Sequence, residues 1–360
     1  MDFPLISYLN AEGELSPECN HQVPPEILVR GYKTMLLTRL VDERMIILQR
    51  QGAISFALTC FGEEACSVAS AAALDLADWM YPQYREAGVM FWRGFTVKDY
   101  LHQMFGTGKD LILGRQMPNH FGSKALNVVP VSSPIGTKIP HAAGCAYAMK
   151  IKKEKTISIS YFGEGATSEG DFHSGVNFAA VLKAPVIFFC RNNGYAISTP
   201  FNKQCACTSI AAKGEGYGIS ALRIDGNDFF AVHETVAKAR ELCLAGKGPI
   251  LIEAVTYRLG AHSTSDDPSL YRKEEECTLW REKDPLTRLR RYLENKNLWN
   301  AEKENQALSS IADEITQAIE EAKNTAPPST HSLIENVYSK TPSYLEKQLQ
   351  ERLEEATCPK

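Results

Sequence analysis

A single acidic residue between two glycines follows a strongly apolar run near the middle of the chain. Residues Thr156–Phe162 alternate β-branched and aromatic side chains, which predicts a buried strand, and Gly163-Glu164-Gly165 follows directly. A second apolar run, Pro185–Cys190, ends in two asparagines, the second of which is Asn193. Because the carboxyl ends of parallel strands meet at one sheet edge, we expect Glu164 and Asn193 to lie close together. A carboxylate and an amide oxygen suit Mg²⁺, and a phosphate would complete such a site.

The elements around these residues predict an α/β fold with a central, mostly parallel sheet flanked by helices. From Thr156 to Arg258, strand-like and helical runs alternate, which is typical of parallel strands joined by right-handed crossovers. Beyond the two runs above, the pattern predicts strands at 78–81, 221–224 and 249–256. It predicts helices at 26–51, 65–74, 139–150, 172–182, 228–245, 284–295, 301–323 and 343–355. Asp228 is the expected N-cap of its helix.

Three regions are expected along the chain. Residues 1–25 contain four prolines and predict an irregular N-terminal arm. Residues 26–325 are expected to form the α/β domain, and residues 326–360 a helical C-terminal tail. Residues 106–138 are rich in glycine, proline and serine, and a loop of that length is functional or disordered. His120 and His141 are expected to serve packing or capping.

The composition argues against several classes of function. A formal net charge of −4 over 360 residues gives no reason to expect nucleic acid or a membrane surface as a partner. No apolar run reaches the length of a membrane span, and the N-terminus has no signal-peptide pattern. We expect a cytoplasmic, bacterial protein, with a processed mitochondrial form left open. The ten cysteines contain no Cys-x-x-Cys pair, so reduced thiols are expected.

Seven segments in one order resemble the α subunit of the thiamine-dependent 2-oxoacid dehydrogenases, the E1 component. The pair of motifs described first, with 26 residues between Gly165 and the two asparagines, resembles the thiamine diphosphate motif of that class. The matching segments cover roughly residues 20 to 345. They are Gln49-Arg50-Gln51-Gly52 with Ile54-Ser55-Phe56, Gln83-Tyr84-Arg85-Glu86-Ala87-Gly88, Gly114-Arg115-Gln116-Met117-Pro118, Ser132-Ser133-Pro134, Gly163-Glu164-Gly165-Ala166, Arg191-Asn192-Asn193-Gly194-Tyr195-Ala196-Ile197-Ser198-Thr199 and His262-Ser263-Thr264-Ser265-Asp266-Asp267.

Within that family the chain resembles the branched-chain 2-oxoacid type, because Glu164 and Arg191 stand where the pyruvate type usually has aspartate and glutamate. The resemblance implies the thiamine-diphosphate-binding fold with helical N- and C-terminal extensions. It also implies oxidative decarboxylation of a 2-oxo acid, followed by reductive acylation of a lipoyl group.

The resemblance assigns roles to particular residues. Glu164, Asn193 and the carbonyl of Tyr195 match the Mg²⁺ ligands. His262 and Tyr84 match positions expected to be catalytic, and an imidazole can both bind a phosphate and donate a proton. The positions implied for thiamine diphosphate binding are Gln83, Tyr84, Arg85, Ser133, Ile135, Gly163, Glu164, Gly165, Ala166, Arg191, Asn193 and His262. For Ile135 simple core packing is nearly as good an interpretation.

A loop of Ser132, Pro134 and Thr137 resembles a monovalent-cation site of the branched-chain type. That loop also uses a glutamine, where this chain has Lys138. We expect the ammonium group to replace potassium, with a solvent-facing Lys138 as the alternative.

The resemblance also implies partner proteins. In this family a glutamate that activates the cofactor belongs to a separate β subunit, so an α₂β₂ heterotetramer is expected, inactive as α alone. The lipoyl domain of an E2 acyltransferase is the second expected partner, and a small 2-oxo acid the substrate.

Three alternatives remain open from the sequence. The substrate could be pyruvate or acetoin within the same class. The chain could be a non-catalytic scaffold that keeps the fold. A generic dinucleotide-binding oxidoreductase is disfavoured, because no G-x-G-x-x-G follows an early strand.

Overall fold

Six strands form one parallel sheet. The structure, a computed structural model, describes residues 3–19 and 21–357, without the side chains of the last two. The sheet strands are β1 (Leu5–Ile6), β2 (Trp79–Tyr81), β3 (Ser158–Gly163), β4 (Val186–Asn192), β7 (Ser220–Asp225) and β8 (Ile250–Val255). Their order in the sheet is β1-β7-β8-β4-β3-β2. A small antiparallel hairpin consists of β5 (Tyr195–Ala196) and β6 (Thr199–Pro200).

Helices cover both faces of the sheet. They are α1 (Pro25–Arg50), α2 (Glu64–Ala72), α3 (Ala87–Arg93), α4 (Val97–Phe105), α5 (Lys138–Lys152), α6 (Gly170–Leu182), α7 (Phe201–Gln204), α8 (Ala211–Gly216), α9 (Phe229–Leu244), α10 (Glu274–Arg281), α11 (Pro285–Asn295), α12 (Ala301–Lys323) and α13 (Ser343–Thr357). None of the helices described is long and apolar enough to cross a membrane.

Two apolar cores enclose the central strands because successive side chains of a strand point to opposite faces. In β4, Ile187 and Phe189 belong to the core shared with α1, α2 and α9, whereas Phe188 and Cys190 belong to the core under α5 and α6. Every residue of β4 is buried. Burial on both faces explains the near-continuous apolar runs that the sequence shows in β3 and β4.

The main elements predicted from the sequence are confirmed, within a few residues at their ends. The predicted parallel α/β architecture is the observed one. Asp228 caps α9 as expected, since its Oδ1 accepts from the backbone N–H groups of Phe230 (2.9 Å) and Ala231 (3.1 Å). The loop at 106–137 contains no regular helix or strand.

Several shorter elements were not predicted. The arm before α1 is not irregular throughout, because Leu5 and Ile6 pair with Arg223 and Ile224 of β7. Two residues carry no periodicity, so only the tertiary pairing reveals this strand. α3 and α4 were both missed. α3 is buried along its whole length and therefore shows no amphipathic pattern. α10 was missed because only Cys277 of its eight residues is buried.

Candidate active site

The carboxyl ends of β3 and β4 bring Glu164 and Asn193 together. Gly163 at the end of β3 lies opposite Arg191 of β4, so the residues that follow each strand emerge side by side. The backbone N–H of Asn193 donates to Oε2 of Glu164 at 3.2 Å. Both side chains are almost completely buried. The sequence prediction that these residues meet at one sheet edge therefore agrees with their placement.

A cavity of about 500 Å³ opens at this edge. All the residues predicted to bind cofactor or magnesium line it, namely Gln83, Tyr84, Arg85, Ser133, Ile135, Gly163, Glu164, Gly165, Ala166, Arg191, Asn193, Tyr195 and His262. A larger groove of about 970 Å³ lies between α1 and α12 and contains none of them. A cavity at the carboxyl edge of parallel strands is the usual ligand site of such a sheet, whereas the larger groove lies between two helices.

The Glu164 carboxyl group lies in an environment that disfavours its charge. Burial raises its pKa to about 7, and the nearby Glu63 carboxylate adds to this, whereas the Asn193 N–H group and Arg191 act in the opposite direction. Its Oε1 atom is buried and has no hydrogen-bond partner among the described residues. A buried carboxylate oxygen without a donor is a suitable ligand for a cation.

Two glycines border Glu164 for different reasons. A Cβ atom at Gly165 would lie 2.9 Å from the Cβ of Ala196 in the β5–β6 hairpin, so this position admits no side chain without movement. A Cβ atom at Gly163 would approach nothing closer than the carbonyl oxygen of Arg191 at 4.0 Å. Gly163 also has an ordinary φ of −81°. Gly165 therefore serves internal packing, whereas Gly163 leaves space open beside the cavity.

Arg191 is held between two buried acids. Its Nη1 donates to Oε2 of Glu63 at 2.6 Å, and its Nε lies 2.7 Å from Oε1 of Glu86. Burial alone would lower the pKa of this guanidinium, but the Glu86 and Glu63 carboxylates raise it. Arg191 lines the cavity as predicted, yet its guanidinium lies between two acids. The resemblance implied that Arg191 binds the cofactor, and its two acid partners were not foreseen.

Arg85 tethers the loop that carries His262. Its Nη2 donates to the carbonyl oxygen of His262, and its Nη1 donates to the carbonyl oxygen of Thr59. The Tyr84 ring meets the imidazole edge to face, with ring centroids 6.2 Å apart. Arg85 is buried, and this burial lowers its pKa.

His262 is neutral at neutral pH. Burial first, and then the positive charges of Arg85 and Arg258, lower its pKa to about 4. Because a guanidinium can only donate, the contact of Arg85 Nη2 with Nδ1 makes Nδ1 an acceptor and leaves the ring proton on Nε2. The expectation of proton donation at neutral pH therefore requires an anion beside the ring that raises this pKa.

Three residues outside the predicted site shape the His262 loop. Asp266 Oδ2 accepts from the backbone N–H of His262 at 2.7 Å and from the Tyr271 hydroxyl at 2.6 Å. Arg258 in turn donates to the Tyr271 hydroxyl at 2.9 Å and to the carbonyl oxygen of Ile197 at 2.7 Å. Sequence reasoning missed Arg258, although an arginine just after a buried strand and four residues before His262 was a usable signal.

His120 supports the predicted cofactor residue Ser133. The Ser133 hydroxyl lies 2.8 Å from Nε2 of His120, and the carbonyl oxygen of Pro118 lies 3.0 Å from Nδ1. Since a carbonyl can only accept, Nδ1 carries the ring proton and the Ser133 hydroxyl donates to Nε2. The packing role predicted for His120 agrees with its burial, but the same prediction was wrong for His141, which is exposed on α5.

The predicted cation loop lies beside the cavity. Thr137 Oγ1 donates to the carbonyl oxygen of Pro134 at 2.9 Å. Ser132, Pro134 and Lys138 line a small adjoining pocket together with Gln83. Gln83 in turn accepts from the backbone N–H of Gly163 at 3.0 Å. Lys138 is half-buried, and this burial lowers its pKa.

The parallel sheet, with a cavity lined by charged side chains at its carboxyl edge, is the architecture of an α/β enzyme. The chain belongs to the dehydrogenase E1 component family, whose model matches residues 32–331. The 2-oxoisovalerate dehydrogenase subunit alpha of Dictyostelium discoideum is 44% identical over 349 residues, 96% of this chain and 79% of that protein. The human subunit of the same name is 45% identical over 347 residues, covering 96% and 78%. Subunit alpha 1 of Arabidopsis thaliana is 44% identical, covering 96% and 74%.

These findings confirm the family predicted from the sequence. They also agree with the branched-chain type, since each of these relatives is named after 2-oxoisovalerate. All three names include the word mitochondrial.

Proposed function

We propose that this chain is the α subunit of a branched-chain 2-oxoacid dehydrogenase E1 component, and that its edge cavity binds thiamine diphosphate with Mg²⁺. The observation that carries this proposal is the unpartnered, buried Oε1 of Glu164, which lies beside Asn193 in a cavity that also contains Arg85 and His262. The family and the names of the relatives support the same reaction class.

The residues present fit a magnesium diphosphate. Glu164 offers a carboxylate oxygen without a donor, and Asn193 and Tyr195 add an amide and a carbonyl oxygen at the same edge. Within residues 3–19 and 21–357 no three His, Cys, Asp or Glu side chains form a metal cluster, so a soft-metal site has no support there. A set of oxygen atoms with a phosphate to complete it suits Mg²⁺.

The chain's own residues have distinct tasks in the proposed reaction. When bound, thiamine diphosphate supplies the carbanion chemistry that releases CO₂ from a 2-oxo acid. Arg85 and His262 would bind the diphosphate end, His262 through the proton on Nε2. A bound anion raises the pKa of that imidazole, which prepares it to donate a proton. Tyr84 would orient the His262 imidazole through the edge-to-face contact of the two rings.

Partner subunits complete the proposal. We infer an α₂β₂ assembly in which a β subunit supplies the acid that activates the cofactor, and an E2 lipoyl domain receives the acyl group. The α chain alone would then bind the cofactor weakly and decarboxylate nothing. Purified α chain that decarboxylates 2-oxo acids at the full rate would contradict this assembly.

Two measurements test the function. Isothermal titration of the α/β pair with thiamine diphosphate and Mg²⁺ should show binding that Glu164→Gln weakens at least tenfold; a non-catalytic scaffold need not bind. The decarboxylation rate with 3-methyl-2-oxobutanoate should then exceed the rate with pyruvate or acetoin. A higher rate with pyruvate would assign the pair to the pyruvate type instead.

The compartment remains a prediction. The sequence favoured the bacterial cytoplasm, whereas the names of the relatives describe mitochondrial proteins. Fractionation of the source cells, followed by immunodetection of this chain, distinguishes the two.

A further inference from the structure

We propose that Glu63 is a positioning residue that fixes which end of the Asn193 amide faces the cation site. This inference rests on the proposed function and adds a residue that the sequence reasoning did not include in the site. Glu63 lies just before α2, is 1% exposed, and does not line the cavity itself. Its effect must therefore pass through the residues it contacts.

The carboxylate of Glu63 is divided between two partners. Oε2 accepts from Nη1 of Arg191 at 2.6 Å, and Oε1 accepts from Nδ2 of Asn193 at 3.1 Å. One rigid, planar group thus joins two residues of the β4 end. A buried carboxylate with both oxygens engaged by donors holds each of them at a defined position.

The chemistry of these groups sets the direction of the amide. An ionised carboxylate can only accept, so the Asn193 end that meets it must be the NH₂ group. The Oδ1 end then lies away from Glu63, where the backbone N–H of Tyr195 donates to it at 3.3 Å. Without Glu63, only the long contact from the Tyr195 N–H would oppose a turn of the amide that presents its NH₂ group to a cation. Glu63 removes that choice and keeps the oxygen available at the cavity.

Arg191 keeps Glu63 in place. Its Nη1 donates to Glu63 and its Nε lies 2.7 Å from Oε1 of Glu86, so the guanidinium lies between the two acids. Glu86 is anchored further because its Oε2 accepts from the backbone N–H groups of Gln83 (2.9 Å) and Arg85 (3.1 Å). Among the described residues, no hydrogen bond joins Glu86 to the Asn193 amide. Glu86→Gln is therefore the control that removes one acid partner of Arg191 and keeps the hydrogen bond of Glu63 to Asn193.

A reciprocal exchange tests the proposal. In Glu63→Gln, Arg191 holds the introduced amide oxygen, so the introduced NH₂ group faces the NH₂ group of Asn193 and drives that side chain to turn over. In Asn193→Asp, two carboxylates oppose each other. In the double variant, the NH₂ group introduced at position 63 donates to one oxygen of the carboxylate introduced at position 193. The second oxygen of that carboxylate still faces the site, and the two residues together keep the net charge of the original pair.

The measurement is the Kd of Mn²⁺ in the α/β complex with saturating thiamine diphosphate, followed by electron paramagnetic resonance. We expect Glu63→Gln to weaken Mn²⁺ binding about 10- to 100-fold, the range for groups that orient metal ligands. The double variant should recover most of the lost Mn²⁺ affinity. Glu86→Gln should lose less Mn²⁺ affinity than Glu63→Gln. Melting temperatures without metal identify any variant that is merely unfolded.

Distinct results overturn distinct claims. The positioning role is refuted if Glu63→Gln binds Mn²⁺ with the affinity of the unchanged complex, or if Glu86→Gln loses as much Mn²⁺ affinity as Glu63→Gln. It is also refuted if the double variant binds Mn²⁺ no more tightly than the weaker of the two single variants. Should Glu63→Gln not fold, Glu63→Asp replaces it; this shorter acid keeps its charge but cannot reach both partners, and unchanged Mn²⁺ affinity there also refutes the role. An unchanged complex that binds neither Mn²⁺ nor thiamine diphosphate refutes the proposed function, and with it this inference.

Discussion

Arg85 and His262 are joined twice, because Nη2 of the arginine donates to the histidine carbonyl oxygen at 2.7 Å and to Nδ1 at 3.2 Å. The first contact fixes the backbone of the loop, and the second fixes the tautomer of the ring. Burial is the main cause of the lowered pKa of the imidazole, and the charge of the same guanidinium adds to it. One side chain thus fixes the position and the tautomer of the residue expected to contact the cofactor, and contributes to its neutral charge state.

Arg85→Lys should weaken thiamine diphosphate binding about tenfold, since an ammonium cannot make the forked contacts of a guanidinium. Isothermal titration of the α/β pair measures this change. Arg50→Lys, at the exposed end of α1, is the matched control and should bind as the unchanged pair does. Equal affinity in both variants would show that the fork is dispensable.

Gly163→Ala and Gly165→Ala should have different effects. The methyl group at 165 collides with Ala196, so this variant should lose about 1–3 kcal/mol of unfolding free energy as well as cofactor affinity. The methyl group at 163 has open space around it, so this variant should keep its melting temperature and lose affinity only. Denaturant unfolding and cofactor titration separate the two outcomes. A Gly163→Ala variant that unfolds as easily as Gly165→Ala would contradict the prediction.

Asp42 should make the protein less stable as the pH rises. It is buried, accepts from the backbone N–H of Cys60 at 2.7 Å, and burial raises its pKa to about 7. Between the unfolded and folded pKa values, the folded state binds the extra proton, so the unfolding free energy falls with increasing pH and stays low above about 7. The expected slope from this group is roughly 1 kcal/mol per pH unit.

Asp42→Asn tests this slope, because the amide cannot ionise yet still offers an oxygen to Cys60. Urea unfolding at pH 5, 6, 7 and 8 should show a flatter dependence in this variant. Glu43→Gln, which changes the exposed neighbour on α1, is the control and should keep the original slope. An unaltered slope in Asp42→Asn would assign the pH dependence to other groups.

Lys138→Gln should create a dependence on potassium that the unchanged chain lacks. The lysine is half-buried beside Ser132 and Pro134, and no carboxylate pairs with it in the described part of the chain. If the ammonium occupies the cation position, melting temperatures with KCl and with choline chloride should agree for the unchanged chain and differ for the variant. A large potassium effect on the unchanged chain would refute the replacement.

Much of the candidate site could be predicted because its residues follow strand ends. Glu164 and Asn193 come directly after long apolar runs, and the parallel order of those strands brings them together without any knowledge of side-chain contacts. The supporting contacts could not be predicted in this way. Glu63 reaches Arg191 from a segment 128 residues away, through a hydrogen bond that depends on tertiary packing rather than on local pattern. Arg258 also follows a strand end, but its hydrogen bond to the carbonyl oxygen of Tyr195 depends on tertiary packing.

The same reason explains the missed parts of the fold. α3 lies entirely inside the protein, so its seven residues show no alternation between an apolar and a polar face. β1 depends on pairing with a strand more than two hundred residues away. Hydrophobic periodicity detects an element that has one solvent-exposed face and several turns or residues, and neither α3 nor β1 gives that signal.

The two outermost strands of the sheet are only two and three residues long, β1 at one margin and β2 at the other. A long unpaired strand invites a neighbouring molecule to add its own backbone, which leads to aggregation. Here these short strands cover the edges of the longer inner strands. The segment that follows β1 is held in place by Asp228, which accepts from the N–H of Leu9 at 2.7 Å. Removal of the first residues would therefore expose the unpaired backbone edge of β7 and lower the solubility of the protein.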